Sequence, residues 1–333
     1  MSTAANDGAE QDEPRTPDER PGLIDAVPVR HPGRWVAIAV IAVIGAMFVN
    51  MLLTNPEFDW PFIFQAMVQR PVINGLLMGT LLVTVMAMVI GISGGVILAV
   101  MRLSGNPVLS VVAWVFTWFF RAVPRLVLLT VMGALGILFK QGMDIGVPFD
   151  QEILGALGID GSMRFLNLDA NAIFTGVIGG AIGLGLSEAA YMAEIARAGI
   201  MSVDPGQREA AKALGMSNGM AMRRVILPQA MRVIVPPTGN ETIAMVKDTS
   251  LLIGIPLSAE LFFQLQSIGS RLYQTFNVLI AATLWYLIVC SVLMVGQYFL
   301  EKRFGRGYGA TRPDAKKATT RTRLMGLTVG GSK

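Results

Sequence analysis

Ionisable residues inside apolar sequence are the first candidates for chemistry in this chain. The segment 233–255 is largely apolar, yet it contains Glu241, Lys247 and Asp248. Glu241 and Asp248 are seven residues apart, so an unbroken helix places them about 20° apart on one face. Asn240 and Lys247 lie on the adjacent stripe. Charges in apolar surroundings are costly and commonly mark function. The stripe can therefore contact a zwitterionic ligand; alternatively, Lys247 pairs with a neighbouring acid and stabilises or gates the segment.

Residues suited to covalent or metal chemistry are scarce. The one cysteine, Cys290, lies in an apolar run, and the one histidine, His31, lies in a polar head. A single thiol cannot form an intramolecular disulfide, and one His with one Cys argues against a transition-metal site. The phosphate-binding pattern G-x-x-x-x-G-K-[ST] does not occur in the sequence. We therefore expect no catalytic residue, no metal and no directly bound cofactor, and an intramembrane enzyme is disfavoured.

The charges are distributed unevenly along the chain. Of 333 residues 50 are charged, and residues 1–34 and 301–333 hold 11 each. The central 266 residues carry the other 28, about a tenth, whereas a soluble domain is nearer a quarter charged. This excludes a soluble enzyme and predicts a membrane protein with a disordered tail, 1–34, and a basic tail, 301–333. The basic residues form no stripe with interleaved aromatics, so no nucleic-acid partner is expected.

Hydropathy predicts an all-α membrane protein with six transmembrane helices. The third comes from two uncharged runs joined at Pro124, which we interpret as one Pro-kinked helix. The polar segment 140–170 is predicted to be a loop, and 257–276 a short helix with a loop. The six predicted spans are 35–53, 71–101, 103–139, a helix that starts at 170 and continues through Glu194, the broken element 233–255, and 277–299.

Lysine and arginine counts predict the orientation. The segments 1–34, 101–106, 197–232 and 301–333 together carry 20 of these residues, whereas the opposite segments carry four. Because cytoplasmic loops carry the excess of positive charge, both termini and the 197–232 loop are expected in the cytoplasm.

That loop has the signals of two short helices. Asp204 is suited to an N-cap and is followed by Pro, which is tolerated at the first helical position. A helix of about 205–214 should end at Gly215. Ser217 then caps a second short helix, and Pro228 is expected to limit it. The alternative is an amphipathic loop lying on anionic lipid.

The loop resembles the "EAA" loop of bacterial ABC importer permeases. That pattern is Glu-Ala-Ala, three residues, Gly, nine residues, a branched aliphatic, any residue and Leu-Pro. The flanking blocks resemble the polar amino-acid subfamily, the histidine/glutamate/glutamine-type permeases. The matching residues are Glu209, Ala210, Ala211, Gly215, Val225, Leu227 and Pro228, and the flanking blocks are 187–194, 239–243 and 247–251.

The resemblance implies a fold and a set of partners. The fold is a type I ABC importer permease core of five helices over 72–300, with 35–53 as an extra span. The loop, about 202–228, would couple a cytoplasmic ABC ATPase dimer to the membrane helices. That ATPase would use ATP and Mg²⁺. A second permease copy or a homologous permease, an external amino-acid-binding protein and membrane lipid complete the set. The implied function is import of a polar amino acid across the bacterial inner membrane.

Some alternatives remain at this point. The family often has Phe-Arg-Gly-Thr-Pro, whereas this chain has 120–124 as Phe-Arg-Ala-Val-Pro, followed by Arg125. This second arginine either alters the substrate path or lies at the interface. Glu188 and Glu194 rank below the 233–255 stripe, because Glu194 and Arg197 form an i,i+3 pair. An autonomous secondary transporter or channel is the competing class; it would work without an ATPase and would usually show an internal repeat.

Overall fold

The computed structural model describes residues 32–255 and 257–304. Most of the two predicted polar tails, 1–34 and 301–333, lies outside these residues. The described parts of the tails, 32–34 and 301–304, belong to helices. The described chain divides into two compact units between Phe58 and Asp59.

The described residues are mainly helical. The first half contains α1 (Pro32–Thr54), α2 (Trp60–Met67), α3 (Arg70–Asn74), a π-helix (Gly75–Leu81), α4 (Leu82–Arg102), α5 (Pro107–Ala122) and α6 (Arg125–Leu138). The middle contains β1 (Met143–Gly146), α7 (Asp150–Ala156), β2 (Arg164–Leu168), α8 (Ala170–Phe174) and α9 (Gly176–Met201). The last part contains α10 (Pro205–Ala213), α11 (Asn218–Ala221), a π-helix (Met222–Ile226), α12 (Leu227–Asp248), a 3-10 helix (Thr249–Gly254), α13 (Leu261–Leu272) and α14 (Thr275–Phe304).

The first unit contains α1, which is apolar on all sides. Its 23 residues are nearly all exposed, and none is buried. Its length is enough to cross a hydrocarbon core of about 30 Å. These properties suit a helix that crosses the membrane, and the extra span at 35–53 stays a prediction.

Four helical stretches in the described residues are long and apolar enough to cross a membrane: α1, the continuous stretch Arg70–Arg102, α9 and α14. A fifth arises if α5 and α6 together form one span. The single Pro-kinked helix expected for 103–139 is wrong in detail, since α5 and α6 meet at 103°. The cause is local: Val123, before Pro124, has an extended backbone, as the residue before a proline prefers. A count of six spans remains a prediction.

The polar segment 140–170 is more ordered than the predicted loop. Strands β1 and β2 pair antiparallel, with Met143 opposite Leu168, so the fold is not entirely helical. The nearly buried Asp150 carboxylate accepts hydrogen bonds from Ser162 Oγ and Met163 N, both at 3.0 Å. Burial alone would raise the pKa of Asp150, but these hydrogen bonds and the charge of Arg164 outweigh burial and hold that pKa below its usual range.

The broken element expected at 233–255 also differs from the structure. Helix α12 continues through Pro236 and Pro237 and ends only at Asp248. Pro228 does not limit a helix; it lies in the first turn of α12, where its missing N–H costs little.

Helices α4 and α9 form the most extensive helix pair of the core. A Cβ atom at Gly91 of α4 would lie 2.6 Å from the Glu188 Cγ of α9, and one at Gly95 would lie 2.3 Å from Met192 Cβ. Only glycine allows this approach, which is how small residues bring membrane helices together. The close packing places Glu188 inside the interface.

Candidate functional site

The segment with the EAA pattern forms the predicted helix and turn. Asp204 caps α10 by accepting a hydrogen bond from Gly206 N at 2.6 Å. Gly215 has φ +76°, a left-handed conformation that glycine adopts without strain. Met216 N donates to Ala211 O at 3.0 Å and closes the helix end. These contacts fix the direction in which the chain leaves α10.

The coupling residues predicted in this segment differ in exposure. Glu209 and Ala210 are exposed on α10, whereas Ala211 is buried. Leu227 and Pro228 are exposed at the start of α12. Gln229 Nε2 donates to Gln207 Oε1 at 3.4 Å, so α10 and the first turn of α12 are neighbours. The helix that carries Glu209 is therefore adjacent to the Leu-Pro end of the EAA pattern.

The predicted polar stripe on α12 does not form one site. Asn240 Oδ1 accepts a hydrogen bond from Gln297 Nε2 of α14 at 2.9 Å, so Asn240 contacts the last helix. Lys247 is exposed and has no ion-pair partner among the described residues. Asp248 instead contacts α6. The structure thus separates Asn240 from Asp248.

A buried ion cluster lies where α6 begins, α12 ends and α9 passes its midpoint. Arg125 Nη2 is 2.9 Å from Glu188 Oε2, and Arg125 Nη1 pairs with Asp248 Oδ2. The Glu188 side chain is 0% exposed, and that of Arg125 is 13% exposed. Two acids from distant parts of the chain therefore share one guanidinium. We call Arg125, Glu188 and Asp248 the ion cluster.

Further charged and aromatic groups surround the ion cluster. The guanidinium carbon of Arg125 lies 4.8 Å from the ring centre of Tyr191, and that of Arg121 lies 5.6 Å from the same centre. Glu241 is close enough to Glu188 for their charges to interact. The acids here outnumber the arginines, three to two.

One atom of the ion cluster lacks a partner. Glu188 Oε1 is buried without a hydrogen bond among the described residues, as is the neighbouring Ser187 Oγ. A buried polar atom without a partner costs free energy and commonly has a functional reason. Arg125 also lies at the N-terminus of its own helix, where a cation is unfavourable. A ligand with charged groups can therefore supply the hydrogen-bond donor that Glu188 Oε1 lacks and the negative charge that suits Arg125.

Sequence reasoning ranked these residues poorly. For Arg125 it left open whether the residue alters the substrate path or lies at the interface, and it placed Glu188 below the α12 stripe. Both residues gave a signal, since each is a charge within an apolar run. Glu188 and Asp248 lie 63 and 123 residues from Arg125 along the chain. No local pattern in the sequence shows such pairings.

Membrane-length helices, a sharply broken helix pair and a buried ion cluster define an integral membrane transport protein. The family described as "Binding-protein-dependent transport system inner membrane component" matches residues 91–306, and this chain belongs to that family. It is the permease subunit of an ABC amino-acid importer, a transport component and not itself an enzyme.

Two curated relatives and one solved structure support this assignment, and a second solved structure supports the fold alone. The chain is 43% identical over 293 residues to the arginine transport system permease ArgU of Corynebacterium glutamicum, covering 86% of this chain and 85% of that protein. It is 34% identical over 243 residues to the glutamate/aspartate import permease GltK of Escherichia coli, covering 73% and 96%.

The structural comparisons agree on the fold. A crystal structure of an amino acid ABC transporter with histidines is 32% identical, with a TM-score of 0.53 over 70% of this chain and 94% of that one. An alginate ABC transporter is 13% identical, with a TM-score of 0.52 over 82% and 96%, which supports the fold alone. The type I ABC importer permease fold is therefore confirmed.

Proposed function

We propose that this permease imports an amino acid with a cationic side chain and that the substrate passes the ion cluster. The observation that carries the proposal is Glu188, a fully buried acid with one oxygen that has no hydrogen-bond partner within 32–255 and 257–304. It lies beside the ion pair of Arg125 and Asp248, which belong to the ends of two helices. Transporters commonly bind substrate where helices break near the middle of the membrane.

The chemistry of the two helix ends suits an α-amino acid. Arg125 and the N-terminus of α6 supply positive charge for an α-carboxylate. Asp248 and Glu241 on α12 supply negative charge for ammonium or guanidinium groups. Of the predicted substrate path, Asp248 would act as a member of the ion cluster and Glu241 through its charge near Glu188, while Asn240 and Lys247 would line the approach to the cluster.

The charge balance favours a cationic side chain. A zwitterion brings one positive and one negative group and would leave the excess of acids uncompensated. An additional ammonium or guanidinium group would neutralise it and give Glu188 Oε1 a donor. The arginine transport named for the relative ArgU agrees with this substrate class.

The exposed EAA segment would couple transport to ATP hydrolysis. Glu209, Ala210, Leu227 and Pro228 would contact a cytoplasmic ABC ATPase dimer, which binds the ATP and Mg²⁺, while Ala211 and Gly215 hold the helix in place. An external amino-acid-binding protein would deliver the substrate, and a second permease copy or a homologous permease would complete the pathway. The permease would lie in the bacterial inner membrane, with both termini on the cytoplasmic side.

Substrate binding without the binding protein tests the substrate class. We would purify the full chain with its ATPase in detergent and measure binding of radiolabelled arginine, with lysine, histidine, glutamine and glutamate as competitors. Glu241→Gln removes a charge that forms no ion pair among the described residues. We expect it to weaken arginine binding about tenfold or more, the value of a hydrogen bond to a charged group.

The matched control is Lys140→Gln, which changes an exposed charge beyond the end of α6 and should leave binding unchanged. Asp248→Asn should weaken arginine binding as well. Equal competition by glutamate and arginine, or unchanged arginine binding in Glu241→Gln, would refute the cationic substrate.

A further inference from the structure

Two cavities lie beside the coupling helix α10. One, of about 310 Å³, is lined by Arg208 and Lys212 and by residues of α11 and the following π-helix. The other, of about 330 Å³, is lined by Arg208, Asp204 and the end of α9. Leu103, Arg208 and Ile226 line both. We call them together the basic cavities, because their charged side chains are two cations and one acid.

The two cations of the basic cavities are free to bind an anion. Arg208 and Lys212 are four residues apart on α10 and therefore lie on one side of the helix. Both are exposed, and neither has an ion-pair partner among the described residues. Asp204 is engaged in capping α10.

The basic side of α10 faces away from Ala210, whereas Glu209 lies between the two sides, about 60° around the helix from Lys212. Ala210 lies about 200° around the helix from Arg208. Leu214, 78% exposed, lies about 240° from Arg208. An ATPase can therefore contact Ala210 and Leu214 while the basic cavities remain open on the other side.

A long apolar groove lies next to the basic cavities. It has a volume of about 550 Å³ and lies between α4, α9, α12 and α14. Its lining is aliphatic or aromatic except for Gly239, Thr238 and Thr242. Representative lining residues are Ile92, Val96, Val100, Ile200, Met231 and Leu300.

The groove and the basic cavities form a continuous surface. Ile200 lines both the groove and one basic cavity. Ile226 lines both basic cavities, and the next residue, Leu227, lines the groove. The combined surface is therefore amphipathic, with its cations at the end where α4 and α9 end and α12 begins.

We propose that this surface binds one anionic phospholipid of the cytoplasmic leaflet. Arg208 and Lys212 contact the phosphate and headgroup, and the apolar groove takes the acyl chains. Charge complementarity selects this occupant, since basic pockets between membrane helices on the cytoplasmic side suit anionic headgroups. The side of the membrane follows from the function proposed above.

The bound lipid would stabilise the coupling segment. It would join α10, through its two cations, to the ends of α4 and α9 and to the start of α12. Motion of α10 would then be transmitted more fully to α12. The coupling of ATP hydrolysis to transport would therefore depend on anionic lipid. The lipid therefore acts as a structural partner of the EAA segment.

Native mass spectrometry of the purified full chain measures the lipid that it retains. The same method then follows titration with dioleoyl-phosphatidylglycerol and, separately, with dioleoyl-phosphatidylcholine. We expect one phosphatidylglycerol per chain and weaker binding of phosphatidylcholine. The double variant R208Q/K212Q should bind phosphatidylglycerol about thirtyfold more weakly, since each cation at the surface contributes about fivefold. The matched control R223Q/R224Q removes the same charge from exposed residues of the neighbouring π-helix that line neither cavity. It should bind phosphatidylglycerol as the wild type does, about thirtyfold more tightly than R208Q/K212Q.

Further measurements distinguish the lipid from a second protein chain and from free phosphate as the occupant of this surface. Val96→Trp narrows the groove and should release the lipid without changing the oligomeric state. Inorganic phosphate alone should compete poorly. The proposal is overturned if both double variants lose lipid equally, if Val96→Trp changes only the oligomeric state, if phosphate binds as tightly as the lipid, or if the assembled ATPase displaces the lipid. None of these measurements uses substrate, so failure of the proposed substrate class leaves them unaffected.

Discussion

Removal of the Arg125 charge should strongly destabilise the permease. Arg125 pairs with Glu188, which is fully buried, and with Asp248. Arg125→Gln leaves Glu188 in the α4–α9 interface without a cation, although one of its oxygens already lacks a hydrogen bond in the part of the chain that the structure describes. Breaking a buried pair by removing one partner costs about 3–5 kcal/mol, and we expect a loss of unfolding free energy in that range.

The measurement is chemical unfolding of the full chain in detergent, followed by tryptophan fluorescence. Arg121→Gln is the matched control, because Arg121 contributes only a ring contact with Tyr191 at 5.6 Å and should cost about 1 kcal/mol or less. The double variant R125Q/E188Q should recover most of the lost stability, since the buried uncompensated charge of Glu188 is gone and the remaining acid, Asp248, is 29% exposed and stays partly solvated. The reasoning is refuted if Arg125→Gln costs no more than Arg121→Gln, or if the double variant is less stable than Arg125→Gln.

Two further predictions concern α10 and the β1–β2 hairpin. Gly215→Val forces a branched side chain into a left-handed backbone, at a cost of about 1–2 kcal/mol, and should uncouple ATP hydrolysis from uptake; Gly215→Asn, which tolerates this conformation, should stay coupled. The ratio of ATP hydrolysed to substrate imported measures this, and normal uptake by Gly215→Val at normal expression would contradict it. Because the pKa of Asp150 is lowered in the folded state, its contribution to stability is full above the unfolded pKa of about 3.9 and is lost as pH falls below that value. Amide hydrogen exchange in 143–168, corrected for intrinsic rates, should show this loss in the wild type and not in Asp150→Asn; equal profiles would contradict it.

Local signals in the sequence were sufficient for α10. Asp204, the following proline and Gly215 each act within one turn of the helix end, so spacing alone predicted 205–214 and the structure has Pro205–Ala213. The apolar runs likewise predicted the long helices, because burial in lipid depends on composition over about 20 residues.

Features that depend on distant partners were not predictable in this way. The strands β1 and β2 are short, and Asp150 is held by residues 12 to 14 positions further along the chain. Pro124 indicated a bend, but a proline alone does not give the angle of 103°. The ion cluster needs three helices together, and only the fold brings Arg125 to Glu188.

The close approach of α4 and α9 links residue 91 to residue 188, two positions that would otherwise vary independently. A Cβ at residue 91 would overlap the Glu188 side chain, so the space for that side chain exists only while residue 91 is glycine. In a mutational library, larger residues at 91 should survive only together with a shorter residue at 188. Such a change either removes the carboxylate or, as aspartate, draws it back from Arg125, so the absence of a single methyl group on one helix determines whether the Arg125–Glu188 ion pair can form.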